Sequence, residues 1–327
     1  MDAKRFIDLT KSLDTKSDHV FLNEFSNKFY QGSIKKEYNV SYNENSPELK
    51  NAIINNLFYN RNFLKQKRFE THSFQYLASI IEKIKNSENE IAQLLFLLQV
   101  SKSNLLGHYF DHILKHLRKL VIAHPNTRHF EHEHIYFYDL FEHLKRNAGI
   151  RQVIKESVLS NGCSEFNFSF DKLKLFFINS KFRELRGFGG VDKIYVSLLK
   201  REDYFLDDVD ETLDHKEKIV QFEFVRVFIH VVAEIALRSS LNNLNETEKS
   251  SQIGTFAENK IFNCRIDWRE SWMSREININ YCSDFFERLL KEEKLDTFDL
   301  DKARVKLIES NVIMGCDNDF KNFLNEI

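Results

Sequence analysis

The sequence predicts a mainly α-helical protein: a helical region over residues 1–150 packed with a smaller α+β region over 151–327 that holds a short strand element. Three observations carry this. First, only two prolines and nine glycines occur in 327 residues. Proline breaks helix interiors and glycine weakens them, so their scarcity favours long helices. Second, apolar residues recur at helical spacing through most of the chain. Third, one glycine-rich stretch, Arg186-Gly187-Phe188-Gly189-Gly190, precedes Lys193–Leu199 (KIYVSLL). The β-branched and aromatic content of that run marks a strand.

The elements follow in order. SYNENSPELK has turn chemistry, and Ser46-Pro47-Glu48 starts a helix with proline in its first turn. Helical spacing then runs to about Asn86. Ser87 with Glu90 three residues on forms a capping box for an apolar helix over 88–101. A further helix over 103–123 ends at His124-Pro125-Asn126. Helices follow at 136–147 and 150–159. Phe166–Phe170 alternates with period two and reads as a strand or a helix start, and Lys172–Ser180 is apolar. The second half continues with helices at 217–239, 252–262, 281–293 and 300–309. No repeat of fixed period is visible.

Composition narrows the function classes. The net charge is −2 and 29% of residues are charged, an ordinary globular balance that argues against a dedicated nucleic-acid binder. The 31 phenylalanines read as core filler in an AT-rich coding bias. The first residues hold no apolar leader segment, and the longest apolar stretches fall short of the roughly 20 residues that span a bilayer. The four cysteines are scattered, which fits buried thiols in a reducing compartment. These features predict a cytoplasmic protein, with the nucleus left open, no membrane association and a protein as the class of partner.

Three constellations bear on chemistry. His108, His112 and His116 recur every four residues, so their side chains share one helix face, and two such imidazoles can hold one metal ion. His129, His132 and His134 lie just beyond. The plain alternative is a polar helix face. The glycine cluster is neither GxGxxG nor a P-loop, and reads as a tight turn into a strand. The third lies in residues 224–268. Zinc peptidases of the HExxH type bind zinc with two His on one helix turn, use the intervening Glu as general base, and take a third ligand from a helix some 20 residues on. The matching stretch here is His230-Val231-Val232-Ala233-Glu234, followed by a helix opening on Gln252-Ile253-Gly254.

Residues of about 190–268 resemble a degenerate zincin-like group of poorly characterised eukaryotic proteins. That group carries HExxH, a polar loop, then E-A-G-x-x-x-E-x-x-hydrophobic-F-G. His230, Gly254, Glu258 and the pair Ile261-Phe262 match it, and Asn263 stands at the final glycine. The departures fall on the chemistry. Val231 replaces the general base, Glu234 the second His, and Gln252 the third-ligand Glu. The resemblance therefore implies a copy without peptidase activity and without a required cofactor, zinc being the ion its site would take through His230 and Glu234. Two alternatives stand beside it. One is a metal-dependent hydrolase with a non-standard set such as His230, Glu234 and Glu258. The other is an all-helical interaction protein with no metal or catalytic site. Gln252 and Glu258 are six residues apart, about 240° around a helix, so both cannot face one ion.

Overall fold

The computed structural model describes residues 3–13, 19–21, 25, 40–44, 46–59, 68–83, 87–101, 106–123, 132–180, 185–197, 213–245, 248–294 and 296–308. The first half is a set of helices with a two-stranded ribbon. Helix α1 spans Ala3–Lys11, strand β1 His19–Phe21, helix α2 Ser46–Tyr59 and strand β2 Arg68–Glu70. Helices α3, Thr71–Lys83, α4, Glu88–Ser101, and α5, Leu106–Leu117, complete it. The long helical stretch expected from 48 to 86 is thus interrupted by β2, which pairs antiparallel with β1. The capping box forms as expected: the Ser87 and Glu90 backbone N–H groups each donate to the other's side chain at 3.3 Å.

The expected helix over 103–123 stops at Leu117, and Val121–Ile122 forms strand β3 instead. Helices α6, His132–Arg146, and α7, Ala148–Ser160, follow, joined by Asn147, whose side chain accepts from the Ile150 N–H at 2.9 Å. Phe166–Phe170 is neither strand nor helix start but runs into a short 3-10 turn at Phe170–Lys172. Strands β4, Lys174–Asn179, β5, Gly187–Gly189, and β6, Lys193–Ser197, then build a sheet in the order β3-β4-β6-β5. Strands β4 and β6 are parallel, while β3 and β5 run antiparallel to their neighbours.

The remaining elements close the second half. Helix α8 spans Leu213–Ser240 and helix α9 Glu248–Phe262. Strand β7, Ile266–Asp267, helix α10, Trp268–Met273, helix α11, Ile279–Leu290, helix α12, Leu300–Ala303, and strand β8, Lys306–Leu307, follow. The expected helix over 300–309 ends after four residues because Arg304 takes a left-handed conformation, φ 53°. The chain is mainly helical with a small mixed sheet. Among the described residues no helix is long and apolar enough to cross a membrane.

The sheet sits between two apolar cores. Successive side chains on a strand face opposite sides, and the sequence uses both. Leu175, Phe177, Ile194 and Val196 join the core made with α6–α11. Ile178, Phe188 and Tyr195 join the core made with α1–α5. Both faces being covered explains why β6 reads as a continuous apolar run rather than an alternating one. The glycine cluster, expected as a turn, is itself the edge strand β5. A Cβ on Gly189 would stand 2.6 Å from the Ile235 side chain and 2.7 Å from the Arg238 guanidinium. Helix α8 thus lies directly on that strand, and only glycine admits the approach.

Candidate functional site

From Ile219 to Arg238 every residue of helix α8 except Gln221 is buried, yet five of these buried residues are ionisable: Glu223, Arg226, His230, Glu234 and Arg238. Their spacing of three or four residues confines them to a stripe about 120° wide on the helix. Charges of this kind need partners when desolvated, and the stripe supplies most of them. Arg226 grips Glu223 with two nitrogens, at 2.6 and 3.0 Å. The His230 Nε2 lies 3.3 Å from the Glu234 carboxylate, an ion pair without hydrogen-bond geometry. The Arg238 guanidinium lies 3.7 Å from the other Glu234 oxygen and donates to the Gly189 carbonyl at 3.3 Å.

Helix α9 completes the site. Ile253, Gly254, Ala257, Glu258 and Ile261 are buried at helical spacing, and Gln252, Phe256 and Asn259 face outward, a one-sided pattern that lays α9 against α8. Glu258 is fully buried and pairs with the His230 Nδ1. It also stands 3.5 Å from Arg226 and 4.0 Å from Arg265. Gly254 makes this possible, because a Cβ there would lie 2.5–2.6 Å from three carbon atoms of the His230 ring. Gly254→Ala is expected to destabilise the protein by about 1–3 kcal/mol through overpacking, although alanine is the better helix former. Thermal unfolding checks this, and a stability gain would refute the close packing.

The ring of His230 is therefore held between two carboxylates. Burial alone would lower its affinity for a proton. The Glu258 and Glu234 carboxylates outweigh that penalty and push its pKa up to about 9. Burial likewise opposes the charge on Glu258, but Arg226, His230 and Arg265 together hold its carboxyl below the usual range. The His230 shift has a definite sign in stability. The folded state binds the proton more tightly than the unfolded chain, whose histidine titrates near 6.5. Its stabilisation is thus complete below pH about 6.5 and is lost as pH rises through about 9. The melting temperature is expected to fall across that window, and the fall should vanish in His230→Gln; an unchanged slope in that variant would refute the assignment.

The positions drawn from the sequence divide cleanly. His230, Glu234 and Glu258 meet. Val231 points into the apolar core, 2% exposed. Gln252 is exposed and does not join them. Glu223, Arg226, Arg238, Arg186 and Arg265 were not singled out from the sequence, though polar residues at three- and four-residue intervals in an otherwise apolar helix are a readable signal for the first three. Arg186, just ahead of β5, reaches Glu223 at 3.7 Å. In the other histidine group, the His112 and His116 rings lie with centroids 4.5 Å apart, tilted by 57° to each other. Burial and the neighbouring His116 hold His112 below its ordinary pKa. The side chains of His108, His132 and His134, and all of His129, lie outside the described residues.

The chemistry of the donor set decides whether zinc fits at His230. The two ring nitrogens of an imidazole point away from each other. Glu258 sits on the Nδ1 side and Glu234 on the Nε2 side, so both carboxylates cannot converge on one ion with the ring. The largest convergent set is His230 Nε2 with Glu234, short of the three protein ligands that a zinc site takes. Among the described residues no group of three or more His, Cys, Asp or Glu converges to hold a metal ion. The residues present do not fit the ion. Comparison of the chain with protein-family models, with curated proteins and with solved structures finds no match.

Proposed function

We propose that this protein is a catalytically inactive, zincin-related chain that serves as a scaffold or binding module for a protein partner. The observation that carries the reading is the burial of the whole constellation. His230, Glu234 and Glu258 are 5%, 2% and 0% exposed, and none of them lines the surface cavity between Asp171–Lys174 and Val191–Lys193 or the shallow cleft at Arg186, Glu223 and Arg226. A hydrolase must bring a peptide bond and a water to such groups. The residue at the general-base position, Val231, can accept no proton.

Three features support descent from the HExxH pattern. His230, Gly254 and Glu258, the matched positions, meet although 28 residues separate the first from the last. Asn263, at the pattern's final glycine, has φ 62°, a left-handed conformation that glycine adopts most readily. Helices α8 and α9 pack directly on each other. The test is hydrolysis of a mixed peptide library by the full chain with added zinc. Cleavage no faster than that of His230→Gln is expected. Cleavage well above that variant would refute the scaffold reading.

A further inference from the structure

We propose that His230, clasped by Glu234 and Glu258 and flanked by Arg226 and Arg238, is a protein-supplied cation that closes this carboxylate pair to divalent metal ions. The inference deepens the scaffold reading and rests on it for the view that the site descends from a metal centre. Its own warrant is geometric. Two carboxylates buried to 2% and 0% exposure need positive charge at close range, because an uncompensated buried anion is strongly disfavoured. A divalent ion is one solution. This chain holds another. The imidazole presents one nitrogen to each carboxylate. Arg226 reaches Glu258 at 3.5 Å from the far side, and Arg238 reaches Glu234 at 3.7 Å. With Arg265 also 4.0 Å from Glu258, Glu234 already has two cationic neighbours and Glu258 three.

An incoming metal would have to displace the Nε2 proton and approach within a few ångströms of the Arg238 guanidinium. It would gain only two ligands there. Gly254 removes a second route, since the ring fills the space that a side chain on α9 would otherwise take and cannot swing towards it to gather a third donor. The charged contact has become the seam between α8 and α9.

Metal uptake at this histidine is the decisive measurement. The full chain is equilibrated with zinc chloride, freed of excess ion and compared by elemental analysis with His230→Gln, which controls for zinc on other histidines. Equal zinc content is expected. One more equivalent in the unaltered chain than in the variant would overturn the proposal. Nitrogen-15 resonances of the unaltered chain give a second readout, independent of whether the variant folds. At pH 7 both nitrogens of His230 should carry protons and should not move on addition of zinc. A bare Nε2, or a zinc-dependent shift of that nitrogen, would overturn it. The two readings fail separately. Peptide hydrolysis without zinc at His230 would remove the scaffold reading alone, and zinc at His230 without hydrolysis would remove this one alone.

Discussion

Glu258→Gln should destabilise the folded protein by about 3–5 kcal/mol, the usual cost of removing one partner from a buried ion pair. The amide preserves the shape of the side chain but not its charge. His230 and Arg226 would be left in the interior with one carboxylate fewer between them. Urea denaturation at pH 7 measures the loss. The same experiment with His230→Gln and with both changes together isolates the pairwise term, since residues in contact are not additive. A coupling near zero, or a loss below about 1 kcal/mol, would show that the pair does not hold α8 to α9. The fall in stability between pH 6.5 and 9 should also shrink in Glu258→Gln, because the main attraction that raises the His230 pKa is gone.

Tyr195→Ala is expected to cost a similar amount, about 3–5 kcal/mol. Tyr195 is fully buried in the middle of the sheet. Its ring stacks on Phe188 at 4.8 Å and on Phe176 at 5.5 Å, and it faces the N-terminal core while its neighbours Ile194 and Val196 face the other. Tyr195→Phe separates ring from hydroxyl. The hydroxyl is buried with no hydrogen-bond partner among the described residues. Its removal should therefore change stability by less than about 1 kcal/mol or raise it. Calorimetric unfolding of both variants checks this. A phenylalanine variant as unstable as the alanine one would mean that the hydroxyl, not the stacked ring, holds the sheet to the N-terminal helices.

Helices were legible where a local signal coincided with burial. The helix over 88–101 could be read to its ends because Ser87 and Glu90 fix its start and an unbroken apolar run fixes its depth. The long helix carrying His230 was equally plain. The small strands were not. Val121–Ile122 is two residues long and exists because β4, more than 50 residues later, offers an edge to pair with. No local pattern encodes that. The glycines of β5 looked like a turn because a strand usually avoids glycine. The reason for them lies on α8, in the Ile235 and Arg238 side chains that press on the strand. At the candidate site, the pattern match located His230, Gly254 and Glu258. Periodicity alone would have added Glu223, Arg226 and Arg238. Arg186 and Arg265 come from other elements, and only the packing of α8 brings them near.

One contact set has a bearing on how the protein is made. The segment around Val40 is tied to the end of α8. The Val40 N–H donates to the Asn243 side chain and the Tyr42 N–H to the Asn242 side chain, across 203 and 200 residues of sequence. The Val40 carbonyl accepts from the Leu244 N–H at 2.8 Å. Such distant closures slow folding. At a synthesis rate of about 5–20 residues per second, residues 40–44 leave the ribosome about 10–40 s before their partners exist. Until Ser197 has been made the nascent helices of the first half lack a complete sheet to cover, and their apolar faces are the surface that chaperones would meet.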